Sequence, residues 1–326
     1  MQAVAITATG SCLPSQVLDN HTLVARFGLK VDHDWIVSRT GIHSRHWLEP
    51  DETTSDIAVR AAMQCLERAG VAAAELDRII LATISPDMPS PSTATIVARK
   101  LGARCMAFDL SAACSGFLYG LDLAAASIQT GAKKVLVIAA DARSRFVNPK
   151  DHRSTVLFAD GAACALVEPV EKGGFLSMVC GAEGIERMGA YVPAGGAQRP
   201  ASAETVAAGE HYLHVEPRND IFELFRRFSR ESCGQALEKA GMTVADIDLF
   251  ITHQGNALLV QQTAEDLGFA PEAVVNDVAH HGNTAGASVA IALDENLRSG
   301  RIRPGSKVLL AAAGAGCTFA AAVHQF

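Results

Sequence analysis

Aromatic side chains are scarce in this chain, at 6%, and charged ones make up only 19%. Positive charge is in deficit. The formal net charge of -7 excludes a nucleic-acid surface built from clustered Lys and Arg. No apolar run reaches transmembrane length, and the opening stretch MQAVAITATGSCLPS has no charged segment followed by an apolar one. A soluble, cytoplasmic protein with no membrane partner is therefore expected. The eight cysteines form no C-x-x-C pair, which argues against a zinc ribbon or a thioredoxin-type site. There is no G-x-x-x-x-G-K, and no G-x-G-x-x-G after a first strand, so no nucleotide loop is expected. What the chain does have is apolar bulk. Hydrophobic residues make up 49% of 326 positions, enough for two domains or one large duplicated unit.

Duplication is what the text shows. LERAGVAAAELDRIILATI, from Leu66, aligns without a gap to LEKAGMTVADIDLFITHQG, from Leu237, about 171 positions on. Each copy gives a helix end, a glycine stop (Gly70, Gly241), an acidic turn and a short apolar strand. GAKKVLVIAAD (131–141) resembles PGSKVLLAAAG (304–314) at nearly the same offset. Continuous apolar strands joined by helices imply sheets covered on both faces, with parallel or mixed pairing. The expectation is an α/β protein of two copies, 1–172 and 173–326, packed as a layered α/β/α/β/α body. The site should lie where strand ends and helix starts of both copies meet. The segment 193–211 reads as a surface loop.

One cysteine stands apart. Cys12, Cys65, Cys105, Cys164, Cys180, Cys233 and Cys317 read as small hydrophobes in apolar text. Cys114 instead follows a strand-like run and a small-residue turn and opens a helix (SGFLYGLDLAAASIQTG). A helix N-terminus is expected to lower its pKa and favour thiolate. The plain alternative is a packing cysteine at a tight junction. In the second copy, His253 ends the strand DLFIT and Asn283 opens the helix matching that of Cys114. Either alone could be a strand-end histidine or a helix cap. Facing Cys114 across the seam, both could donate to a thioester carbonyl or enolate. Gly314–Ala315–Gly316 would let backbone approach the cysteine. An oxyanion hole of N–H groups at Cys114, Ala315 and Gly316 is expected. His280 and His281 are adjacent, but no carboxylate or cysteine lies at ligand spacing, so they read as solvated loop residues rather than a metal site. No metal and no cofactor is expected.

These segments together resemble the β-ketoacyl-acyl-carrier-protein synthase III family. WIVSRTGI, FDLSAACSGF, FADGAACALV, THQGN, HGNTAGAS and GAGCTF occur in order, nearly end to end. The resemblance implies a thiolase-fold homodimer with ping-pong kinetics. Acyl-CoA would load Cys114, and then a malonyl thioester, on carrier protein or CoA, would be decarboxylated with help from His253 and Asn283 and condensed. It also implies CoA contacts from Trp35, Arg39 and Asn256. Arg153 matches the adenine-sandwiching residue only through a one-residue gap.

The chain departs from the family pattern at four places. Glu223 and Leu258 stand where cations usually dock the carrier protein, and Arg226 and Arg227 could compensate. Ser90 and Ala313 stand where aromatics usually border the acyl and malonyl sites, so a roomier acyl pocket is expected. Two other readings stay open at this point. Cys114 could pass its acyl group to an alcohol or amine with His253 as base, or the chain could be a non-catalytic partner subunit.

Overall fold

The computed structural model describes residues 2–186, 188–216 and 218–326, with side chains left aside at 218–220. Two mixed sheets form its frame. In the first, strand Ala3–Cys12 runs antiparallel to Asp160–Val170, which runs antiparallel to Val135–Ala142. Arg78–Ala82 and Met106–Leu110 complete it in parallel. In the second, Leu249–Thr252 lies parallel to Lys307–Gly314, followed by antiparallel Thr318–Gln325 and Gly174–Ala182. The second sheet repeats the first strand for strand and then stops short. The counterpart of Met106–Leu110 shrinks to a single bridge, Phe250 to Val274.

Local sequence explains the elements. Helix Thr54–Ala69 starts at Thr53, whose N–H is accepted by Asp56 Oδ2 at 2.9 Å, and stops at left-handed Gly70, φ 65°. Its counterpart Arg218–Ala240 stops at Gly241 with the same φ. Strand Val135–Ala142 is buried along its whole length, as a strand covered on both faces must be.

The layers follow from which faces are apolar. Helices Gly116–Gln129 and Ser288–Arg298 lie between the sheets. Phe117, Leu121, Val289 and Leu293 form one core with Val137 of the first sheet and Leu310 of the second. Helices Thr54–Ala69 and Thr93–Leu101 cover the outer face of the first sheet. Arg218–Ala240 and Ala257–Leu267 cover that of the second. The expected α/β/α/β/α order is the observed one. Among the described residues no helix is long and apolar enough to cross a membrane.

Buried polar contacts pin the halves. Asp294, wholly buried on the second central helix, accepts from Thr9, Ser11, Arg68 and Arg298. His324 Nε2 accepts the N–H of Ile6 at 3.0 Å. No two of the eight cysteines form a disulfide; seven are buried or half-buried, and Cys180 is exposed, against expectation, because its strand lies at the edge of the second sheet.

Candidate active site

A cavity of about 340 Å3 opens where the two halves meet, and Cys114, His253, Asn283 and Ala315 all line it. The nucleophile candidate sits on a strained turn. Ala113 has φ 47°, left-handed backbone that a residue with a Cβ adopts at a cost of about 1–2 kcal/mol. The turn is held from behind, because Ser115 Oγ donates to Ala312 O and Thr318 Oγ1 donates to Ala112 O. Gly314 must be glycine here, since a Cβ would lie 2.7 Å from the Cys114 nitrogen. The backbone N–H groups of Ala315 and of Cys114 itself favour the thiolate.

Two expectations fail at this sulfur. Its pKa is not lowered but pushed up to about 12, first by burial and then by the nearby Asp141 carboxylate. Arg143 and the two N–H groups act in the opposite sense without reversing it. The side chain is solvent-accessible from the cavity yet surrounded by protein, and this enclosure outweighs the helix dipole. Nor is Gly316 part of an oxyanion hole: its N–H donates to Met188 O at 2.9 Å.

His253 and Asn283 converge on one point. A Cβ added to Gly255 would lie 2.6 Å from His253 Nε2 and 3.2 Å from Asn283 Nδ2, so glycine there keeps the space between them open. His253 Nδ1 lies 2.7 Å from Ser288 Oγ, which accepts the N–H of Gln254. With the Ser288 hydroxyl donating to Nδ1, the ring proton stands on Nε2, toward the cavity. Burial lowers the pKa of His253 to about 4, so the ring is neutral. Asn283 Oδ1 accepts from Ala285 N–H at 2.9 Å, which aims its amide nitrogen outward. The cavity therefore presents two neutral donors to one place, beside a cysteine backed by backbone N–H groups.

Trp35, Arg39, Arg153 and Asn256 line the same cavity. The ring against Trp35, however, belongs to His152, edge-on at 5.1 Å, while Arg153 is held by Asp151. Asn256 caps helix Ala257–Leu267 and donates to Arg39 O, so its amide is committed to positioning the wall. Ser90 is exposed and not in the cavity wall. Ala313 is buried, packs in one cluster with Phe225 and Phe228, and with His253 and Phe225 borders a second, small cavity. Arg226 is bidentate to Asp266 and its NH1 also pairs with exposed Glu223 at 2.7 Å, which locally offsets that carboxylate, while Arg227 NH2 is held by both oxygens of Glu183. His281 is not a solvated loop residue: it ends a short helix and pairs with Glu295 at 3.0 Å, with Asp277 close by. Ligand-type carboxylates therefore do stand near it, brought by folding from 14 residues along and from one helical turn before.

Several site residues escape sequence reading. Asp141, 1% exposed, accepts from Ile84 N–H, Ser85 Oγ and Gly286 N–H. Arg143, 3% exposed, lines the cavity. The available signal was a charged pair ending an otherwise apolar, fully buried strand.

Two stacked copies of one mixed sheet, bringing a cysteine, a histidine and an asparagine to a single cavity, define the class: a thiolase-fold condensing enzyme. Family models described as 3-oxoacyl-[acyl-carrier-protein] synthase III match residues 108–184, and as its C-terminal part residues 237–326. A β-ketoacyl-[acyl-carrier-protein] synthase III of Symbiobacterium thermophilum is 44% identical over 98% of this chain and 97% of its own. The 3-oxoacyl-[acyl-carrier-protein] synthase III of Aquifex aeolicus superposes with a TM-score of 0.89 at 35% identity over both whole chains. The priming β-ketosynthase of the R1128 polyketide pathway does so at 0.90 and 30%, over 100% of this chain and 96% of its own. The chain belongs to the β-ketoacyl-acyl-carrier-protein synthase III family.

Proposed function

We propose that the protein takes an acyl group from acyl-CoA onto Cys114 and condenses it with a malonyl thioester. In the first step the Cys114 sulfur displaces CoA, which leaves as the thiol carrying the cysteine's proton. In the second, the malonyl carboxylate departs as CO2. The resulting enolate oxygen is held by His253 Nε2–H and Asn283 Nδ2–H. Its carbon then attacks the Cys114 thioester, whose oxygen meets the N–H groups of Cys114 and Ala315, and the cysteine is released. What carries this reading is the convergence of two neutral donors on one point in the cavity of the acylatable sulfur. Transfer to an alcohol or amine needs His253 as a base near neutral pH, and burial holds it at about 4.

Trp35 and His152 form the proposed adenine contact, with Arg39 beside them. The proposed assembly is a cytoplasmic homodimer, with halves 1–172 and 173–326. Its support is the edge strand Met106–Leu110, which pairs on one side only and leaves Met106 55% exposed. Carrier-protein docking through the Glu223 face should be weakly steered, so malonyl-CoA is the competing extender.

The test is intact-mass analysis after exposure to an acyl-CoA panel, with the loaded enzyme then split between malonyl-carrier protein, malonyl-CoA and buffer. An acyl mass that disappears only with a malonyl thioester, giving a β-ketoacyl product, is expected. An adduct that persists with both would overturn condensation.

A further inference from the structure

Arg143 is a buried cation with most of its hydrogen-bonding capacity unused. It is 3% exposed and lines the cavity together with Cys114, Ile84, Ala113 and Phe158. Its guanidinium carbon lies 5.4 Å from the ring centre of Phe146 and 5.5 Å from that of Phe158. One N–H group, on NH1, reaches a carbonyl, that of Ile84, at 3.3 Å. Nε is buried and has no partner. A guanidinium carries five N–H donors and no acceptor, so a ligand must supply what the protein does not.

The neighbouring carboxylates do not fill that role. Asp141 and Asp160 act on Arg143 through their fields, but among the described residues neither is paired with it. Their oxygens are occupied by neutral donors. Asp141 accepts from Ile84, Ser85, Thr83 and Gly286, and Asp160 from Leu48 and Ser144. The charge of Arg143 is thus balanced at a distance while its N–H groups stay open. A site built with a buried donor rejects a ligand that leaves the donor dry, often by orders of magnitude. The three charges sum to minus one, one cation against two carboxylates, so a further carboxylate on the ligand would enter an unfavourable field.

Resting on the acylation of Cys114, we propose that the acyl group accepted here carries a neutral oxygen function, a hydroxyl or keto group, that receives the hydrogen bond of Arg143. A plain alkyl chain would strand the guanidinium, and a dicarboxylic chain would add charge to an already anionic cluster.

Acylation rates measured by intact mass for four-carbon thioesters of CoA test this: butyryl, 3-hydroxybutyryl, 4-hydroxybutyryl, acetoacetyl and succinyl. At least one of the neutral oxygenated chains should load about 10-fold or more faster than butyryl and succinyl. In Arg143→Leu the order should invert, with butyryl gaining and the oxygenated chain losing. Arg143→Gln, which keeps a donor, should retain part of the preference and guards against misfolding of the leucine variant. Butyryl or succinyl loading as fast as every neutral oxygenated chain in the unaltered protein overturns the inference and leaves cysteine acylation standing. No adduct from any of the five, nor from longer acyl-CoAs, overturns both.

Discussion

The two turns that open the central helices share a backbone and differ in chemistry. Ala113, φ 47°, precedes Cys114, and Ala285, φ 50°, precedes Gly286, at equivalent places in the two halves. In the first junction the side chain is a thiol that receives N–H groups. In the second there is no side chain, and the backbone N–H of Gly286 donates to Asp141 Oδ2 at 3.0 Å. A Cβ at Gly286 would lie 3.1 Å from Ala113 O, so the missing side chain lets one junction pack against the other. Duplication has supplied the same strained turn twice. One copy carries the covalent chemistry and the other has become its support, while neutral donors gather at the neighbouring Asn283 and at the end of the adjacent strand.

Breaking the comparison at its largest point means removing one half's contribution and following the other's. Cys114→Ala should reduce condensation to background and abolish acylation, yet leave decarboxylation of malonyl thioester, which needs only His253 and Asn283. Asn283→Ala should do the reverse, with acylation near the starting rate and condensation down by about 10²–10³, the usual loss for one oxyanion donor. Intact mass reports the first activity and CO2 release the second. If Cys114→Ala also stops decarboxylation, the halves do not divide the work as described.

How far the sequence alone leads can be judged at the same residues. The repeat was legible because its punctuation is local: Gly70 and Gly241 end helices by backbone geometry that no packing alters. Cys114, His253 and Asn283 reach one cavity because the repeat fixed their strand ends and helix starts. The state of the sulfur was not legible, since enclosure by distant residues sets it, and the dipole argument saw only the nearest turn. Gly316 was misjudged because a run of glycines does not say which N–H is already taken by Met188. Arg143 and Asp141 stayed hidden at the end of a strand whose text is otherwise wholly apolar. Ala313 shows the same limit from another side, because what surrounds a small residue is set by distant segments, here Phe228 from a helix about 85 positions earlier.

A smaller effect should come from Gly255, which sharpens the comparison by touching only the donors. In Gly255→Ala the new methyl falls 2.6 Å from His253 Nε2, where something must shift. The expected outcome is a loss of about 100-fold in condensation, with Cys114 still acylated at near its starting rate. Equal losses in both steps would mean that the glycine serves the fold and not the donor pair.

The smallest effect concerns the seam that holds the two sheets in register. His324 of the second sheet is wholly buried, its Nε2 accepting from Ile6 of the first, with Phe175 and Phe326 against the ring. Burial pushes its pKa down from 6.5 to about 3. The folded protein therefore refuses a proton that the unfolded chain accepts. This contribution to stability is complete above pH 6.5 and is lost as pH falls toward 3. At pH 5 the loss from this one group is about 2 kcal/mol. Asp160 and Asp277, both raised to about 6 by burial, act in the opposite sense, with stability present at low pH and lost as pH rises through 6. Comparing variants at matched pH cancels them. His324→Gln can still accept the Ile6 N–H and cannot titrate. Its destabilisation relative to the unaltered protein, measured by urea unfolding, should shrink by about 2 kcal/mol between pH 8 and pH 5. A difference that stays constant across that range would show that the seam histidine does not set the acid response.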